Sequence, residues 1–434
     1  MRIKKYYSVV AAVLIALMLS QTILAEVNNE ATYTITSNEI KNWPQGPDIY
    51  SDTAVLMEAD TGEVLYNKGM NEMRYPASIT KIMTTLLALE NSTLDEQVTF
   101  TATGLEHMWE GTNLQMQEGE VLTMEQCLYA VMLQSANEVA DQVAETVGGS
   151  REDFIAMMNQ KASDLGCKNT HFNNPSGLPD EQHWSTAYDM ALIFREALKN
   201  EEFCKIIQTL EYTIPATNRT AEPRVISSHH ALLVPTAPEY YEGCLGGKTG
   251  VTDAAKNTLV TGVKRDDTTY IAVVMRADPG QVCADSRALF DYGYNNFERI
   301  EVKGRDLIVP KGVKETDLKC EEAKAETATV FNYYYDDHLL DSFSLSAEEL
   351  QKLEAANDED AADDMQETDE AQLEEQDNSE QNQADDAQSQ ESNERLQKKY
   401  RIIIMVLGGL ILLSLIMIII SVIANRKKRR KKRR

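Results

Sequence analysis

The sequence predicts an α+β fold, an antiparallel sheet covered by helices, and two observations carry that expectation. Strand-like apolar runs broken by turn residues stand near both ends of residues 51–298. The stretch between them is mostly helical in composition. Strands at both ends with helices inserted suit one antiparallel sheet better than a series of strand–helix–strand crossovers.

Taken in chain order, residues 53–60 and 63–68 are apolar-rich strands joined across Thr61-Gly62, which reads as a hairpin. Residues 258–264 and 269–276 form a second hairpin around Asp266-Asp267, and 283–297 follows with helical periodicity. Residues 299–345 are β-rich and form a small separate module. From 346 to 400 the chain is dominated by Asp, Glu, Gln, Asn, Ser and Ala, with too few aromatic and β-branched residues to build a core. That segment is expected to be an extended, acidic linker.

The two ends read as targeting and anchoring segments. Residues 1–25 have the build of a secretory signal peptide: Arg2, Lys4 and Lys5, then an apolar run from Val9 to Leu19, then small or polar residues ending at Ala25. Residues 402–424 carry no charge, and at ~1.5 Å per residue a helix of that length spans a hydrocarbon core of ~30 Å. A single transmembrane helix is expected there. The basic tail, 425–434, includes nine consecutive Lys and Arg residues, and positive flanks stay on the cytoplasmic side. Everything from Glu26 to Tyr400 is thus expected outside the membrane. Topology and contact with membrane lipids account for the basic run, and no nucleic-acid partner is expected. The formal net charge is -27 in spite of that tail, so the exported part is strongly acidic. Such a surface disfavours anionic partners but names no substrate.

Six cysteines lie apart without a Cys-x-x-Cys pair, which indicates neither a zinc site nor a redox motif. Export would permit disulfides, yet spacing leaves their pairing open, and buried free thiols are an equal reading.

Three short motifs occur in order: Ser78-Ile79-Thr80-Lys81, Ser135-Ala136-Asn137 and Lys248-Thr249-Gly250. Ser78 falls at a predicted helix start after Pro76-Ala77. Residues three apart on a helix are neighbours, so the Lys81 amine can reach the Ser78 hydroxyl, the requirement for a nucleophile beside its base. An ordinary lysine is protonated at neutral pH. Burial and a second cation, with Lys248 as the candidate, would lower it. Ser135 and Asn137 sit at a junction between helical stretches, where a hydroxyl can relay a proton and an amide can hold a peptide. Lys248 and Thr249 supply a cation and a hydroxyl suited to a terminal carboxylate. The segment precedes the strand from Thr258, and a strand edge would pair with an extended peptide. The backbone N–H groups of Val251 and Ser78 would make an oxyanion hole. His183, His229 and His230 read as structural or loop residues, since a Ser-His-Asp arrangement explains neither lysine.

On these motifs the chain resembles the low-molecular-mass D-alanyl-D-alanine carboxypeptidases, a penicillin-binding group, across residues 51–298. The likeness extends to Tyr75-Pro-Ala-Ser-Ile-Thr-Lys-Ile-Met-Thr-Thr-Leu-Leu-Ala-Leu-Glu90, to Asn174-Pro-Ser-Gly-Leu-Pro179 with His183 and Ser185-Thr-Ala187, and to Lys248-Thr-Gly-Val-Thr252. It implies a transpeptidase-like fold shared with serine β-lactamases and a serine DD-peptidase catalytic domain over 40–298. It also implies peptidoglycan stem peptides as substrate, covalent inhibition by β-lactams, and no metal or cofactor. Ser78, Lys81, Ser135 and Asn137 would be catalytic, with Lys248, Thr249, Gly250 and Val251 binding substrate. Three departures stand out: Lys256 where the family usually has glycine, Leu245 where a polar residue is common, and a final β module about half the usual size. Two alternatives are weighed. A catalytically silent wall sensor or scaffold would need none of the side chains retained here. A class A β-lactamase would need a Glu followed four residues later by Asn, whereas Glu181 is followed at that spacing by Ser185.

Overall fold

The computed structural model describes residues 32–325 and 327–353. The expected signal peptide, the linker beyond 353, the transmembrane helix and the basic tail lie outside the described residues. Among the described residues, no helix is long and apolar enough to cross a membrane.

The first expected hairpin is present as β1 (Thr53–Glu58) and β2 (Val64–Lys68). The insertion then runs through α1 (Lys81–Asn91), β3 (Gln97–Thr99), β4 (Val121–Thr123), α2 (Met124–Tyr129), a π-helical turn (Ala130–Gln134) and α3 (Asn137–Gly148). It continues through α4 (Arg151–Asp164), α5 (Ala187–Ala197), α6 (Glu201–Gln208), β5 (Glu211–Ile214) and β6 (Arg224–Ser227). The pairs β3–β4 and β5–β6 are hairpins that the sequence reading passed over. Strands of three or four residues are too short for a period-two pattern to register.

The chain then returns to the sheet with β7 (Cys244–Thr252), β8 (Lys256–Arg265) and β9 (Thr268–Ala277), followed by α7 (Gln281–Asn296). The order is β2-β1-β9-β8-β7, with every neighbouring pair antiparallel. One expectation needs correction. Lys248-Thr249-Gly250 does not precede a strand but lies within one, the edge strand β7. Gly246, Gly247 and Gly250 deny that strand the alternating side chains by which it would be recognised.

Alternate residues of the central strands serve two helical layers. Val55, Met57, Ile271, Val273 and Met275 join a core with Ile82, Met83 and Leu86 of α1 and with Met190, Ile193 and Phe194 of α5. Leu56 and Tyr270 face α7, so close that a Cβ on Gly293 would lie 2.9 and 2.8 Å from them. Helix α1 is buried at eight successive residues, Lys81 to Ala88. A helix enclosed on all sides has no solvent face on which to place a charge. Lys81 therefore sits in the interior.

The last part of this unit is β10 (Phe297–Val302) paired with β11 (Arg305–Pro310), then a meander of β12 (Lys319–Lys324), β13 (Ala328–Tyr335) and β14 (His338–Ser346). Phe343 stacks on Phe331 and Tyr333, with centroids 5.7 and 6.0 Å apart. Trp43 packs its ring 5.0 Å from Phe297 and 4.8 Å from His338, and His338 Nε2 lies 2.8 Å from Glu63 Oε1. Arg299 reaches Glu58, Asp60 and Asp306 at 2.9, 2.7 and 2.7 Å.

A division falls after Ser346. Residues 347–353 are helical, not extended as the linker reading expected. Ser346-Ala347-Glu348-Glu349 has the spacing of a capping box, and Lys352 pairs with Glu348 one turn away at 2.9 Å. All six cysteines are free thiols.

Candidate active site

Ser78 lies in a 3₁₀ turn, Ala77–Thr80, that leads directly into α1. Ala77 has φ of 53°, a left-handed conformation costly for a residue with a Cβ. The turn is clamped from three directions. Thr258 Oγ1 donates to Pro76 O at 2.9 Å, and a Cβ on Gly177 would fall 1.9 Å from Ala77 O. A Cβ on Gly250 would lie 2.9 Å from Ser78 N. Gly250 is thus glycine because the edge strand runs against the nucleophile's own backbone.

One helical step further, Lys81 Nζ lies 3.2 Å from Ser78 Oγ, 2.7 Å from Asn137 Oδ1 and 2.6 Å from Ser176 O. Two of these partners can only accept, whereas a hydroxyl can also donate. A neutral amine fits the set: it donates twice and takes the Ser78 proton on its lone pair. Burial, then the charge of Lys248, hold Lys81 well below the usual lysine range. Asp141 and Glu138 pull it upward, more weakly. Lys248 is 2% exposed, its Nζ donates to Thr249 O at 3.0 Å, and burial lowers it to about 7.

Ser135 ends the π-helical turn at φ 63°, another left-handed non-glycine residue, and Asn137 opens α3. Such strain and a π-turn recur at working sites. Asn137 is the hub. Its Oδ1 holds Lys81, its Nδ2 donates to Glu110 O at 2.6 Å, and its N–H donates to Thr112 O at 2.9 Å. Ser135 makes no hydrogen bond to Ser78, Lys81 or Lys248 among the described residues. Thr249 is half-buried in β7, and Val251 is 68% exposed on the free side of the sheet.

His183 is buried between Asn173 N, which donates to Nδ1 at 3.0 Å, and Thr80 Oγ1, 2.9 Å from Nε2. Burial lowers it to about 3, so it stays neutral and braces the 3₁₀ turn. His230, expected merely on a loop, is buried, with Nε2 3.0 Å from Thr261 Oγ1. Glu181 is exposed, and Lys81 is served by a hydroxyl, an amide and a main-chain carbonyl. Lys256 takes φ of 53° where β8 begins, and its Nζ reaches Asp278 at 2.9 Å. The family's glycine preference at this position thus has a backbone cause.

Sequence reasoning overlooked the carbonyl of Ser176. It is aimed by Asn174, whose Oδ1 accepts from the N–H groups of Ser176, Gly177 and Leu178 at 3.2, 2.7 and 3.1 Å. The signal was present in Asn174-Pro175-Ser176-Gly177, a turn sequence with an Asx side chain at its start.

Residues 40–279 match the family described as D-alanyl-D-alanine carboxypeptidase. The chain is 36% identical to D-alanyl-D-alanine carboxypeptidase DacF of Bacillus subtilis, over 60% of this chain and 66% of that protein, just under two thirds. It is 32% identical to D-alanyl-D-alanine carboxypeptidase DacB2 of Mycobacterium tuberculosis, over 58% of this chain and 84% of the relative. Among solved structures, the Streptomyces K15 DD-transpeptidase superposes with a TM-score of 0.55 at 28% identity, covering 58% of this chain and all of that one.

Proposed function

Because the chain belongs to the D-alanyl-D-alanine carboxypeptidase family, we propose that it removes the terminal D-alanine from peptidoglycan stem pentapeptides through an acyl-enzyme on Ser78. The observation that carries this is the Lys81 amine, buried, depressed in pKa and 3.2 Å from Ser78 Oγ. Ser78 Oγ attacks the carbonyl of the penultimate D-alanine while its proton passes to Lys81. The backbone N–H groups of Ser78 and Val251 receive the oxyanion. Collapse expels D-alanine, whose amine is protonated from Lys81 with Ser135 as relay. Water then hydrolyses the ester, and Lys81 again takes the proton. Lys248 in its charged form, with Thr249, faces the substrate's terminal carboxylate. A β-lactam enters by the same attack and leaves slowly.

The same proposal places the enzyme at a bacterial cell membrane, with the catalytic unit outside and a single span at 402–424 followed by a cytoplasmic tail that meets the membrane lipids. The charge asymmetry around 402–424 supports this topology. The activity is tested by mass spectrometry of a muropeptide pentapeptide incubated with the purified protein. Loss of one D-alanine is expected, together with a penicillin adduct on Ser78. Release or labelling that persists in Ser78→Ala would overturn it.

A further inference from the structure

The loop between β3 and β4 carries the most exposed large apolar side chain among the described residues, Trp109 at 72%. An exposed indole leaves its face open to a cation or an apolar chain. The loop is not a loose excursion. Asn137 grips the Glu110 and Thr112 carbonyls, and Glu138 Oε1 accepts the Leu114 N–H at 2.6 Å. Three bonds from two successive residues of α3 thus hold the segment next to Trp109, and one of those residues also holds Lys81. Trp109 adjoins Glu110, whose carbonyl is bonded to the amide that grips the base, so the Trp109 backbone is held close to the acyl site. The free edge of β7, with Val251 exposed, runs against Ser78 at Gly250.

We infer that Trp109, with the Glu110 carboxylate beside it, recognises the side-chain ammonium of the diamino acid that precedes the D-alanine pair in the stem. This rests on the proposed carboxypeptidase function. A peptide with its terminal carboxylate at Lys248 and its scissile carbonyl at Ser78 must leave the site past one rim. The diamino acid alone in a stem offers an apolar chain ending in a cation, and an aromatic face beside a carboxylate suits that combination. Glu110 is exposed and enters no ion pair among the described residues, and no cation stacks on Trp109 there. A cross-linked stem has spent this amine in an amide. The contact therefore favours strands not yet joined to a neighbour.

The test compares two peptides ending in Lys-D-Ala-D-Ala, one with a free ε-amine and one Nε-acetylated. Dissociation constants are measured on Ser78→Ala, and kcat/KM on the otherwise intact protein. The free amine should be preferred about tenfold, the preference collapsing in Trp109→Ala, surviving in Trp109→Phe, and falling in part in Glu110→Gln. Penicillin acylation by Trp109→Ala reports whether the Asn137 latch is intact. Equal use of the two peptides by the parent protein would overturn the inference. So would a loss in Trp109→Ala that is equal for both peptides and for penicillin, which would make Trp109 a mere support of the loop. If no D-alanine is released, the proposed activity fails, while the ratio of dissociation constants still decides the role of Trp109.

Discussion

Two sets of buried or half-buried cations in this molecule are treated in opposite ways. At the start of the C-terminal module, Arg299 is surrounded by three carboxylates within 2.9 Å, one of them the fully buried Glu58. Glu58 is raised by burial and lowered by its bonds to Thr61 and by Arg299. In the acyl site, Lys81 and Lys248 are buried with hydroxyl and amide-type oxygens only. Compensated charge holds two parts of a protein together, whereas withheld compensation turns a lysine into a base. The second place is the one where the proposed chemistry needs an unprotonated amine.

The comparison breaks most visibly at Lys81. Lys81→Ala should reduce acylation by peptide and penicillin alike by about 10²–10⁴-fold, since it removes the positioned base. Stopped-flow acylation with a chromogenic β-lactam measures this, and retention of more than a tenth of the rate would refute the assignment. Lys248→Ala should cost about ten- to a hundredfold on a D-Ala-D-Ala peptide and less on its C-terminal amide. It should also alter the pH profile. In the parent protein kcat/KM should fall above about pH 7 as Lys248 loses its proton. The falling limb should be absent in the variant. An unchanged limb would assign it to another group.

Arg299→Met tests the other member of the comparison. It leaves Glu58 buried without its cation, which should lower stability by about 1–3 kcal/mol in thermal unfolding while penicillin acylation stays the same. A slowed acylation would tie the module to the chemistry. The smallest effect is expected at Lys256. Lys256→Gly relieves a left-handed φ and loses only an exposed pair with Asp278, for a net gain of up to about 1 kcal/mol. A loss would show that the pair, not the backbone, governs this turn.

How much of this was legible beforehand follows from how local each signal is. The Ser78–Lys81 contact was, because a three-residue spacing on a helix brings side chains together without help from the rest of the chain. The two sheet hairpins were legible for the same reason. Strand β7 was not, since its glycines serve close approach to Ser78 and Val260, a need created by residues far away in sequence. The Ser176 carbonyl was hidden because a main-chain group carries no letter in the sequence, and the helix at 347–353 because composition alone spoke for extension. The topology at 402–424 remains an expectation from hydropathy and charge.

The exposed Trp109 gives the protein an optical handle of its own. The chain has three tryptophans. Trp43 is buried with its indole N–H on Leu65 O, and Trp184 is half-buried against His171 at 5.3 Å. An aqueous collisional quencher such as iodide should therefore darken Trp109 first, and an acyl group on Ser78 whose diamino side chain covers the indole should shield it. Occupancy of the site then becomes readable in real time from intrinsic fluorescence, with no label attached and no release of product required.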